Sequence, residues 1–134
     1  MTEHPNVARC RDMYEILERG TMDQTRQLLA DDVVWTVPGR GKFAGPKKGI
    51  DEVFDFFKQV GWEASSATFS IQLRDVVADD GHIVAFVHYH HERPDKIFDQ
   101  DGIEYFTLDS HGRISEFSAF IRDSSAFDEF FDHP

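Results

Sequence analysis

A single cysteine, Cys10, stands among the 134 residues, which excludes an intramolecular disulfide and suits a reducing compartment. Basic residues are also scarce, with 14 Lys and Arg set against 25 Asp and Glu for a formal net charge of −11. A protein that grips phosphates needs a basic footprint, and the densest one here is the pair Lys47-Lys48. Neither a nucleic-acid partner nor an anionic membrane surface is expected. No apolar run approaches the ~20 residues that span a bilayer. The opening M-T-E-H-P-N has neither the basic stretch nor the apolar one of a secretory leader, so the expected location is cytoplasmic. Phosphate-loop glycine patterns, Ser-His-Asp spacing, internal repeats and low-complexity tracts are all missing.

Phenylalanine is what the chain has in quantity: thirteen, beside two Trp and three Tyr. Each buried aromatic removes ~150–250 Å² from water. Such a stock fills a core, lines a ligand cavity or covers a subunit interface, and composition does not choose among these.

The length suits one domain spanning residues 1–134. Val7, Cys10, Tyr14 and Leu17 fall at helical spacing, and Gly20 ends that helix. Thr21-Met22-Asp23-Gln24 reads as a capping box that starts a short second helix through Leu28 and Leu29, ended by Asp31-Asp32. Val33 to Val37 is then a strand stopped by Pro38-Gly39. Residues 38–49 form a turn-rich connection with a small strand at Lys42 to Ala44. Ile50, Val53, Phe54 and Phe57 mark a third helix that stops at Gly61.

Strands dominate the rest. Phe69, Ile71 and Leu73 alternate with Ser70, Gln72 and Arg74, and further strands are expected at His82 to Arg93, Gly102 to Leu108 and Arg113 to Ile121. The segment from Asp123 onward, with Phe127 and Phe130, is a short terminal helix or an apolar tail. The fold class is α+β: N-terminal helices packed against a curved antiparallel sheet. On the strands, Val33, Trp35 and Val37 share one face, while Val87, Tyr89 and His91 share a face opposite to His88, His90 and Glu92.

Three stretches carry a resemblance to a known family: L-L-A-D-D-V-V-W-T-V-P-G (28–39), G-P-K-K-G-I-D-E-V-F-D-F-F (45–57) and D-S-H-G-R-I-S-E-F (109–117). Together with the order of elements they resemble the nuclear transport factor 2-like fold, and within it the SnoaL-like and ketosteroid isomerase-like proteins. The resemblance implies a cone with a deep, mostly apolar internal pocket, a small apolar ligand, no cofactor, and a homodimer formed through the outer sheet face. It places Trp35, Val37, Phe54, Phe57, Val87, Tyr89, Phe106, Phe117 and Ala119 around the ligand. Burial in such a pocket raises the pKa of a carboxylic acid and suits it to proton transfer near neutrality.

Carried over residue by residue, the isomerase's Asp base falls on Val37, so that mechanism lacks its base here. The oxyanion tyrosine of the first helix falls within one residue of Tyr14, and the protonated acid of the penultimate strand falls on Glu104 in I-E-Y-F. The acid that SnoaL-like cyclases carry after the last strand falls near Asp123. His91, facing the pocket, adds a group that titrates near neutrality.

Each candidate has a plain structural alternative. Glu104 could face solvent, Asp123 could cap the terminal helix, and Trp35 and Tyr14 could be core. The run H-Y-H-H-E (88–92) sets His88, His90 and Glu92 on one face, but one strand rarely converges three ligands, so no metal is expected. Three functions stay open: an enzyme of cofactor-free acid/base chemistry (isomerisation, cyclisation or hydration), a non-catalytic ligand binder, and a protein-interaction module. Converging ionisable groups at one cavity mark the first; a filled core with an exposed apolar patch marks the last.

Overall fold

The computed structural model describes residues 3–59 and 69–132, and the expected helix end at Gly61 lies outside them. Helix α1 (Pro5–Arg19) buries Val7, Cys10, Met13 and Tyr14 and closes at Gly20. Helix α2 (Met22–Leu28) starts on the expected capping box: the Gln24 amide donates to Thr21 Oγ1 at 3.1 Å, and the Thr21 amide donates to Gln24 Oε1 at 2.9 Å. Helix α3 (Ile50–Gln59) buries Ile50, Val53, Phe54 and Phe57.

Six strands follow the order β2-β1-β6-β5-β4-β3 in one sheet: β1 (Leu29–Val37), β2 (Gly45–Lys48), β3 (Phe69–Ala78), β4 (His82–Arg93), β5 (Lys96–Leu108) and β6 (Ile114–Ile121). Helix α4 (Ser124–Asp132) closes the chain's described part. The sheet is mixed rather than purely antiparallel, because β1 runs parallel to β6, with Trp35 opposite Phe117. Helix α1 packs on β3 and β4, α3 on β1 and β2, and α4 on β5.

Several boundaries differ from the sequence expectation. Asp31 and Asp32 lie exposed within β1 instead of ending a helix, because a register shift between Leu29 and Val34 lets Leu29 and Ala30 point inward before the Val33-Trp35-Val37 alternation resumes. The small strand is at Gly45–Lys48, three residues later than expected, paired with Val34 to Val37. Strand β5 begins six residues earlier than expected, directly after the Pro94-Asp95 turn, in continuous register with β4.

A second register shift, between Leu73 and Asp75, keeps the half-buried Leu73 and the buried Val76 on the same side although they are an odd number of residues apart. Such bulges bend the strand and curve the sheet around the helices. No helix among the described residues is long and apolar enough to cross a membrane.

Candidate functional site

Glu104 is the one carboxylate that the sheet turns fully inward among the described residues, 5% exposed. It follows from alternation: residues 102, 104 and 106 of β5 face the helices, and Phe106 beside it is completely buried. Two phenols hold it. Tyr14, from α1, donates to Oε1, and Tyr89, from β4, donates to Oε2 at 2.7 Å. Burial pushes the Glu104 carboxyl above its ordinary value, and the two phenol hydrogen bonds oppose that shift without cancelling it. Burial, and then the neighbouring carboxyl, raise both tyrosines well beyond the usual phenol range, so each remains a donor.

Tyr89 reaches Glu104 along the sheet rather than straight across it. Its backbone pairs with Gln100, Val87 pairs with Gly102, and Ala85 pairs with Glu104. The ring therefore lies over Gly102, where an added Cβ would come within 2.5 Å of Tyr89 Cε2. Gly102 is the residue the sequence reading missed. In the structure it lies inside β5, and a glycine inside a strand marks a close approach of another group.

Tyr14 also lines a cleft of about 510 Å³ between α1 and β3, with Arg11, Glu15, Glu18 and Arg19 from the helix and Ser70, Ile71, Gln72 and Leu73 from the strand. Arg11 is paired with Glu3 at 3.1 Å. Cys10 lies on the same helical stripe as Tyr14; burial and the nearby Glu104 push its thiol up to about 12, which leaves it inert.

Several of the apolar residues assigned to the ligand pack on one another. Trp35 stacks on Phe117 (centroids 3.8 Å apart, planes at 14°) and makes a T-shaped contact with Phe57 at 5.2 Å. Phe57 also meets Phe54, and Phe106 meets Phe117. Val37 and Val87 are buried in the same core, and Ala119 is half-buried against it. The cleft beside Tyr14 is lined by none of these apolar residues.

Asp123 is placed apart from the Tyr14-Glu104-Tyr89 cluster, while His91 lies two residues along β4 from Tyr89 on the same inward face. Asp123 is exposed and caps α4, accepting from Ser125 Oγ at 2.6 Å and the Ala126 amide at 3.2 Å, which holds its carboxyl below the ordinary range. Replacing it with alanine is expected to destabilise the fold through loss of the cap. Asparagine should restore most of that loss, and urea unfolding of both variants checks it.

His91 is buried under Phe130 of α4, centroids 4.8 Å apart. Burial first, then Arg93 and His90, lowers its pKa from 6.5 to about 4. The unfolded chain binds this proton near 6.5 and the folded chain only near 4, so His91 makes stability fall as pH drops through that window. His91→Leu is expected to flatten this part of the wild-type profile, read from urea midpoints across pH.

The outer face carries His88 and His90. His88 Nδ1 lies 2.7 Å from Asp101 and its Nε2 3.0 Å from Asp99; His90 Nδ1 lies 2.6 Å from Asp99 and its Nε2 3.0 Å from Glu92. No group of three or more His, Cys, Asp or Glu among the described residues is arranged to hold a metal ion.

With this geometry in view, the comparison with known proteins decides the family. Residues 10–117 match the model of the SnoaL-like domain. The chain belongs to the SnoaL-like family. Among relatives of the SnoaL-like chain, the uncharacterised Mycobacterium tuberculosis protein Rv0034 is 29% identical over 131 residues, 97% of this chain and 98% of that protein. Bal32a, from a soil-derived mobile gene cassette, is also 29% identical, with a TM-score of 0.84 and coverage of 94% of this chain and 95% of that one. TerC, co-crystallised with polyporic acid, shares the fold at 16% identity and a TM-score of 0.76, covering 97% of this chain and all of that one.

Proposed function

We propose that this SnoaL-like protein binds a small carbonyl-bearing molecule at the Tyr14 cleft and moves a proton on it with Glu104, without a cofactor. The observation that carries this reading is a buried carboxyl, raised by desolvation and clamped by two phenols, one of which also lines the cleft. A carboxylate poised upward toward neutrality is a competent general base. Once Glu104 takes a proton, its oxygens no longer need two donors. Tyr14 can then turn its O–H toward the oxygen of an enolate or similar anion. Val37 stands where the isomerase base would be, so Glu104 would act as both acceptor and donor of the proton. TerC, which shares the fold, was co-crystallised with a small organic molecule, and this supports a ligand of that size.

The test is proton exchange in D₂O across a panel of small ketones and enones, followed by NMR. Accelerated exchange α to the carbonyl, lost in Glu104→Gln, is the expected result. Binding without exchange across the panel contradicts the catalytic half and leaves a ligand-binding domain.

We also propose a homodimer through the outer sheet face. Phe86, Ile103 and Phe120 pair directly across β4, β5 and β6 on that face and are 39%, 38% and 59% exposed. A row of large apolar side chains on adjoining strands is costly to leave in water and is the usual mark of an interface.

A further inference from the structure

The row Phe86-Ile103-Phe120 does not stand alone on the outer face. One step along the same strands, His88 pairs with Asp101, and one step further His90 pairs with Asp99. Their side chains form a continuous series, Asp101-His88-Asp99-His90-Glu92, in which every adjacent pair is in contact. Ionised carboxylates only accept hydrogen bonds. An imidazole with a carboxylate at each ring nitrogen must therefore donate from both, and so carries a positive charge. The series alternates in sign, negative at both ends, with a net charge of −1.

An alternating series has a property that a patch of one sign lacks. In a two-fold interface the same patch meets itself, so like charges confront each other unless signs alternate and the copies are offset by one step. This ladder, continuous with the apolar row, fits a second copy of the chain on that ground. Loss of both imidazolium protons would change each ladder from −1 to −3 and set two negative patches face to face.

We propose that the ladder is a protonation gate on self-association: two copies pair through the Phe86-Ile103-Phe120 row while His88 and His90 are charged, and separate when they lose their protons. This rests on the homodimer reading above. Arg74 of β3 and Arg122 after β6 are further charges near the ladder, both acting on Asp101, and His91, behind β4, feels the charge of His90. Across β3, His88 and His90 face the neutral Gln72 and Ser70. The neighbouring carboxylates, chiefly Asp101 and Asp99 for His88 and Asp99 and Glu92 for His90, raise both histidines above 6.5. The gate therefore opens at a higher pH than an ordinary histidine would set.

The test is sedimentation equilibrium of the full chain at low ionic strength, from about pH 6 to about pH 9.5. The expected result is a dimer at the lower pH whose dissociation constant rises on the order of tenfold or more at the higher, with the change shrinking in high salt. The double variant His88→Gln, His90→Gln should associate weakly and without this pH dependence, and Phe120→Asp should be monomeric throughout. A dimer whose affinity is the same across the range, in the wild type and in the histidine variant, overturns the gate and leaves the homodimer standing. A monomer under every condition overturns the homodimer and the gate together. A dimer that survives Phe120→Asp places the interface elsewhere and overturns the gate.

Discussion

Glu104→Gln is expected to slow ligand proton exchange by about 10²- to 10⁴-fold, the usual contribution of one general acid–base group, while making the fold more stable at neutral pH. The two effects share one cause. Glutamine keeps a hydrogen-bonding amide between Tyr14 and Tyr89, since a phenol oxygen also accepts, but it removes the proton and the buried charge. Because Glu104 is raised in the folded chain, the wild type binds this proton more tightly folded than unfolded. Stability from this group is thus full below the unfolded carboxyl value of about 4.3 and falls as pH rises through the raised folded value. The glutamine variant lacks that fall, so its urea midpoint should exceed that of the wild type on the neutral side. Glu104→Leu is the contrasting variant. It strands two buried phenol hydroxyls, each costing about 1–3 kcal/mol, and should be less stable than either.

The largest loss of stability is expected at Trp35→Ala, about 3–5 kcal/mol. Trp35 is 5% exposed, and the parallel register of β1 and β6 sets it directly against Phe117, with Phe57 of α3 in a T-shaped contact with it. Removing the indole opens a cavity where sheet and helix meet, in a site too rigid to collapse on it. A melting temperature lower by roughly 10–20 °C is the expected reading by calorimetry. Trp35→Phe should recover much of this. A loss under about 1 kcal/mol would mean that Trp35 lines a yielding or solvated space, as a pocket wall would.

The chain's own pattern made much of this arrangement readable. Alternation sorted β4 correctly: Val87, Tyr89 and His91 are buried, and His88, His90 and Glu92 lie on the outer side. The capping box at Thr21 was legible because its two hydrogen bonds are three residues apart. The first half of β5 was not, because Asp99 and Asp101 are poor strand formers taken alone. What admits them is a cross-strand contact with His90 and His88, and no single strand displays its partner.

The candidate site divides in the same way. The family resemblance pointed to Tyr14 and Glu104, which are 90 positions apart and meet in the core. Neither composition nor periodicity could show that Tyr89 would cross Gly102 to reach the same carboxyl, since that depends on register. Asp123 illustrates the opposite hazard. An acid one step before a helix is also what a backbone needs at that point, and the surface cap is where the structure has it.

The most direct test of this account is a side-chain carboxyl NMR titration that isolates Glu104, with Glu104→Gln used to assign its resonance. A midpoint clearly above the ordinary 4.5, shifting upward again when Tyr89→Phe removes one of its donors, is the result expected for a buried, phenol-clamped acid. A midpoint at or below 4.5 would mean that the two phenols stabilise a permanent anion, and Glu104 would then be a structural charge and not the proton carrier proposed here.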